Sequence, residues 1–92
     1  MKTIYKYPIS SGSNNIDLPK NSTILHFGID GTGHPCIWVL IDTKEEEEGE
    51  TIHLKCVGTG WDLDEILGDS NYAYIGTTVM SNGLVWHLLE VE

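Results

Sequence analysis

The run "PCIWVLID", residues 35 to 42, constrains the fold more than any other stretch of the chain. In an extended strand successive side chains alternate sides, so Cys36, Trp38 and Leu40 face one way and Ile37, Val39 and Ile41 the other. Both faces are apolar and both need cover. The run "LVWHLLEV", 84 to 91, makes the same demand: Leu84, Trp86 and Leu88 oppose Val85, Leu89 and Val91 around a single His87. A chain of 92 residues buries only roughly 60–65% of the surface its unfolded form exposes. One sheet and one short helix cannot hide two such strands on both sides. Either the sheet folds over on itself or a second subunit supplies the cover, and we expect both together.

Ten glycines cut the chain into short segments rich in β-branched and aromatic residues. The predicted strands are 2–8, 23–29, 35–42, 51–57, 72–80 and 84–91, with a short edge piece over Asn14 to Leu18. "DGTGH" between the second and third, and "SNG" between the last two, predict hairpins, with Asn82-Gly83 supplying the positive-φ pair of a tight turn. Only "WDLDEILGD", 61 to 69, reads as helical: Asp62 caps, Glu65 stands three residues on, Ile66 and Leu67 face inward, and Gly68 stops it. "KEEEEGE", 44 to 50, predicts a solvated hairpin tip, with an acidic docking surface at Glu45 to Glu48 as the alternative. The expected fold is all-β to α+β, one domain over 1–92: a small antiparallel sheet, sandwich or partly open barrel of about six strands with one short helix.

The net charge of −9 comes from fourteen acids against five lysines, with no arginine. Such a balance repels a nucleic-acid backbone, which excludes a polynucleotide partner. A single small nucleotide is still admissible, because a few oriented backbone N–H groups and one lysine can hold its phosphates. Cys36 and Cys56 each lie in an apolar run and are expected to be reduced, buried thiols. The longest uninterrupted apolar run, Cys36 to Ile41, is too short to span a bilayer, and no leader-like segment opens the sequence, so a soluble cytoplasmic protein without membrane contact is expected.

His26, His34, His53 and His87 show no metal-ligand spacing, and GxSxG is absent, so neither a metal, nor a cofactor, nor a catalytic residue is expected. The segment "CVGTGWDL", 56 to 63, reads better as a binding loop. Gly58, Thr59 and Gly60 leave main-chain N–H groups approachable, Thr59 adds a hydroxyl, and Trp61 offers a ring face to a base. It lacks the endings of a Walker loop or a dinucleotide fingerprint. The bland reading is a strand-ending turn with Trp61 packed in the core. His26 and Gly28 share one strand face, and His53 and Lys55 another, which makes His26, His53 and Lys55 candidates for a ligand-facing surface, with Trp38 as a second stacking ring.

The segments "MKTIYKYPI", "LPKNSTILHFGID", "PCIWVLID", "VGTG", "YIGT" and "LVWHLLE" resemble, in order, a family of small uncharacterised phage proteins. The resemblance covers nearly the whole chain except the acidic loop and carries no named chemistry. Small phage proteins of this build are similar to those that block bacterial defence, including the sponges Sequestin and Lockin, which trap ADP-ribose-derived Thoeris signals. The resemblance implies an oligomeric protein in the cytoplasm of an infected bacterium that sequesters a nucleotide signal without cleaving it. No site is carried over from those proteins. The alternatives are an acidic inhibitor that plugs a basic cleft of a host enzyme, and an enzyme that degrades the signal, which would need a base or metal.

Overall fold

The structure, a computed structural model, describes residues 1–45 and 49–92. Seven strands form two antiparallel sheets: β1 (Lys2–Pro8), β2 (Gly12–Pro19), β3 (Thr23–Ile29), β4 (Pro35–Asp42), β5 (Gly49–Gly58), β6 (Tyr72–Val79) and β7 (Val85–Val91). One sheet has the order β1-β4-β3 and the other β2-β5-β7-β6. One helix, α1 (Leu63–Leu67), sits in the β5 to β6 connection. The chain therefore folds as a sandwich with a partial third layer, not as a closed barrel.

The two doubly apolar strands explain the layering. β4 is central in its sheet, and its inward side chains Ile37, Val39 and Ile41 are fully buried. They meet Leu54 and Cys56 of β5, Leu88 of β7 and Phe27 of β3 in one continuous core. The second face of β7 is covered within the chain, because Leu67 and Ile66 of α1 pack with Val57, Leu89 and Val91. On the second face of β4 Cys36 is buried and Trp38 and Leu40 are half-buried, while Ile4 and Leu25 beside them are 54% and 48% exposed.

Both hairpins close with the same three-residue loop. In the β3–β4 loop the Gly33 N–H donates to the Asp30 carbonyl (3.0 Å) and the Asp30 N–H to the His34 carbonyl (2.9 Å). In the β6–β7 loop the Gly83 N–H donates to Met80 (2.9 Å) and the Met80 N–H to Leu84 (2.8 Å). Within these two loops only Gly33 and Gly83 take positive φ, +86° and +88°, so the expected positive-φ pair at Asn82-Gly83 is corrected to a turn in which only the third residue is left-handed. Asn82 instead accepts the Leu84 N–H with its side chain. Asp30 does similar work in the other loop, accepting from the Thr32 hydroxyl, the Lys6 ammonium and the His34 and Thr32 amides. The Thr32 hydroxyl first, then Lys6, hold its carboxyl well below the usual carboxylate range.

Three further features depart from the sequence reading. β2 is a full eight-residue edge strand paired along β5, longer than the short piece expected at 14–18. β4 and β5 belong to different sheets, so the segment between them is a sheet-to-sheet connection and not a hairpin. It begins with a 3-10 turn, Thr43–Glu45, and Glu46 to Glu48 of the expected acidic tip lie outside the described residues. The edge strands β3 and β6 carry register shifts at Ile24/His26 and Tyr74/Gly76. A Cβ on Gly76 would stand 3.4 Å from the Phe27 Cβ, so the two bulged strands close that side of the sandwich tightly.

Leu88 is fully buried at the centre of this core and Leu84 is 52% exposed beside the last turn. Truncating Leu88→Ala should lower unfolding free energy by about 2–5 kcal/mol in a urea titration, whereas Leu84→Ala should stay within about 0.5 kcal/mol.

Candidate ligand pocket

The segment that ends β5 builds a concave site. The Trp61 N–H donates to the Gly58 carbonyl at 3.2 Å, closing a four-residue turn in which Gly60 adopts φ +89° at the third position, a place that favours glycine. Asp62 then caps α1, its carboxylate accepting the Glu65 N–H at 3.2 Å. This sharp turn folds the Trp61 indole back over the strand it has just left. A Cβ on Gly58 would lie 2.6 Å from the indole Nε1, so the strand end must be glycine for the ring to seat there. The indole also meets Trp86 edge-on, with centroids 5.6 Å apart and planes at 89°. Trp61 nevertheless stays 44% exposed. It is therefore in contact with Gly58 and Trp86 yet borders two open cavities, between the two readings its sequence context offered.

One cavity, of about 360 Å³, lies against Trp61 and Trp86 beside Gly83, Leu84 and Val85. The other, of about 300 Å³, is lined by Val57, Gly58, Thr59, Gly60, Trp61 and Leu63, with Tyr74, His87 and Leu89 from the neighbouring strands. Its polar edge is a chain of hydroxyls threaded through an imidazole. Thr59 Oγ1 lies 2.6 Å from His87 Nε2, and Thr77 Oγ1 lies 2.8 Å from His87 Nδ1. The Tyr74 hydroxyl bonds Thr77 in turn. A neutral imidazole has one N–H and one lone pair, so one threonine accepts from the ring and the other donates to it. If Thr59 accepts, its own proton is offered to the cavity; if it donates, its lone pairs are offered. The relay lets one hydroxyl serve a ligand as donor or acceptor.

Of the residues singled out from sequence, Gly58, Thr59, Gly60 and Trp61 come together here and the others do not. Lys55 and His53 lie on the outer face of the same sheet but are turned toward β2, where Lys55 Nζ donates to Ser13 Oγ and His53 Nδ1 lies 2.7 Å from Asn15 Oδ1. They are cross-strand pairs of an exposed sheet surface. Trp38 and His26 lie on the other sheet altogether, their rings 5.7 Å apart and tilted by 33°. His26 fills the space above Gly28, where a Cβ would be 2.8 Å from its Nε2. That glycine makes room for a neighbouring ring and leaves no backbone open to a ligand, and Trp38 cannot share a cavity with Trp61 of the same chain.

Sequence reasoning missed His87 and Tyr74. Their signal was present: a lone histidine in an otherwise apolar strand, and Tyr74 three residues before Thr77. Only the strand register, which sets His87 between Val57 and Thr77, converts that signal into a site. Both cysteines are buried and free, and burial pushes the Cys56 thiol up to about 11 and raises Cys36 as well, so neither supplies a thiolate nucleophile. Among the described residues no group of three His, Cys, Asp or Glu side chains is placed to hold a metal ion, and no helix is long and apolar enough to cross a membrane. A larger open cleft of about 470 Å³ lies between the sheets at Leu18, Ile24, Ile52 and Ile75, with Glu50 and Glu90 in its wall, but it gathers no ring other than Tyr74.

Gly58 has no positive φ, so alanine fits its backbone and strikes only the indole. The Gly58→Ala variant should keep its far-UV circular dichroism while losing the near-UV signal of the Trp61–Trp86 edge contact.

No curated protein and no solved structure matches the chain. A family model does match, across residues 1–92, and by that match the chain belongs to the family described as "Domain of unknown function (DUF7352)".

Proposed function

We propose that the protein is a non-catalytic binding module that holds the aromatic ring of a small nucleotide-derived ligand in the Trp61 pocket, and that it serves by sequestration. The single observation that carries this reading is the seating of Trp61. Its indole touches Gly58 and Trp86, and it borders an apolar cavity with one hydroxyl-imidazole edge. Ligand sites begin near 300 Å³, the size found here, which suits a base with its sugar better than a whole dinucleotide. Stacking of a base on an aromatic side chain contributes about 1–3 kcal/mol. Both cysteines are buried with thiols raised by burial, so neither offers a thiolate for turnover, and retention is the role we assign. An ADP-ribose-type or cyclic-nucleotide signal, held by its base, is the ligand class we assign, and an infected bacterial cytoplasm the setting.

Self-association belongs to the same proposal. The outer face of the β1-β4-β3 sheet leaves Ile4 and Leu25 exposed beside half-buried Trp38 and Leu40. On a chain of charge −9 this face also carries Lys2 and Lys6, while Asp30 pairs with Lys6 and Asp42 with the N-terminal ammonium. Two copies can approach there without the repulsion they meet elsewhere. That face belongs to the opposite sheet from the pocket, so pairing would leave each pocket whole and open.

Equilibrium dialysis against adenosine, ADP-ribose and cyclic nucleotides, followed by heat release and mass spectrometry, tests the first part. Intact ligand should be recovered, and Trp61→Ala should weaken binding by about tenfold or more. Recovery of cleaved ligand, or of none, overturns it. Sedimentation tests the second: the chain should run as an oligomer, and Ile4→Glu with Leu25→Glu should yield monomers that still bind one ligand each.

A further inference from the structure

We infer that the Trp61 pocket prefers a positively charged heteroaromatic ring, an N-alkylated base or its equivalent, over the neutral ring of the same shape. The inference rests on the ring-binding role proposed above and specifies the ligand's charge. Two electron-rich rings, Trp61 and Tyr74, border the cavity, and the rest of its wall is Val57, Leu63, Leu89, two glycines and the Thr59–His87 edge. An indole or phenol face attracts a cation through its quadrupole, and the attraction grows where apolar walls exclude water.

The placement of the lysines points the same way. The chain has no arginine, and its five lysines are Lys2, Lys6, Lys20, Lys44 and Lys55. Lys2 and Lys6 are on β1 in the other sheet, Lys20 follows β2, Lys44 lies in the 3-10 turn, and Lys55 bonds Ser13. None lines the cavity. The carboxylates Asp62 and Asp64 instead flank the lining residue Leu63, with Glu65 next in the chain. A phosphate would enter a negative field with no fork or ammonium to meet it, whereas a cationic ring gains from the field and from the two aromatic rings that border it. The Thr59 hydroxyl, backed by His87, can then meet a carbonyl, amine or ring nitrogen on the ligand's edge.

Calorimetric titration of the full chain with matched pairs decides the matter: 1-methyladenosine against adenosine, and N-methylquinolinium against quinoline, all at neutral pH. The cation of each pair should bind more tightly by about two- to thirtyfold, the range a cation over an aromatic face supplies, and added salt should narrow the gap. Trp61→Leu keeps an apolar wall without the ring and should reduce the preference most; Tyr74→Leu should reduce it less and serves as the second variant should the first misfold. Equal or weaker binding of the cations, with the neutral rings still bound, overturns this inference and leaves the ring pocket standing. Failure of all four probes to bind overturns both.

Discussion

The burial of the inward face of β4 against β5 and β7 is the contact on which the rest of the structure depends. Ile37, Val39 and Ile41 meet Leu54, Cys56 and Leu88 with almost no residual exposure, and every other strand is attached to one of these three. Because so short a chain has no spare layers, whatever is not placed against this seam stays at the surface. The helix spends its two inward residues on the outer side of β5 and β7 and none on the outer side of β4. The exposed apolar face and the exposed pocket thus share one origin, a core large enough for one interface between two sheets.

Cover by the helix also makes the pocket. A five-residue helix cannot span the outer face of a four-stranded sheet, so the sheet is capped near Val57, Leu89 and Val91 and left bare toward Tyr74 and His87. The turn leading into the helix crosses that boundary, and its glycines let Trp61 bend back across it while Thr59 reaches His87. Three scales meet there: a local left-handed residue, a cap on a short helix, and a strand register that brings β6 and β7 alongside. Disturbing any one of them moves the same wall.

How much of this was legible in the sequence follows the range of each interaction. The strand 35–42 was readable because alternation and burial agree along a single segment, and α1 because Asp62 and Gly68 act within one turn of it. β2 was underestimated since its inward positions start with Gly12 and Asn14, which are poor signs of a strand; Asn14 satisfies its amide on the Ser10 and Gly12 carbonyls and so tolerates the inner side. Positions 58 to 61 were singled out together because a glycine-rich turn writes its geometry locally. Alternation says that His26 shares a face with Gly28 and that His53 shares one with Lys55, but not which sheet or which neighbour each face meets. Pairing across strands supplied that missing term, sending Trp38 and His26 to the far sheet and giving His53 and Lys55 partners on β2.

Charge and geometry together limit what the pocket can recognise. Backbone N–H groups at a glycine turn are a usual way to meet phosphate, yet here the Trp61 amide is spent on the Gly58 carbonyl, and carboxylates follow immediately. With Lys55 engaged by Ser13, no ammonium is directed at the turn. The glycines therefore serve shape, not charge: one makes space for an indole and the other reverses the chain. In the proposed role, affinity would come from ring contact and from one adaptable hydroxyl, and a phosphorylated ligand would have to carry its charge outward into solvent. Such a design favours ligands by the electronics of their ring, which is a property that neither pocket size nor hydrogen-bond count would reveal alone.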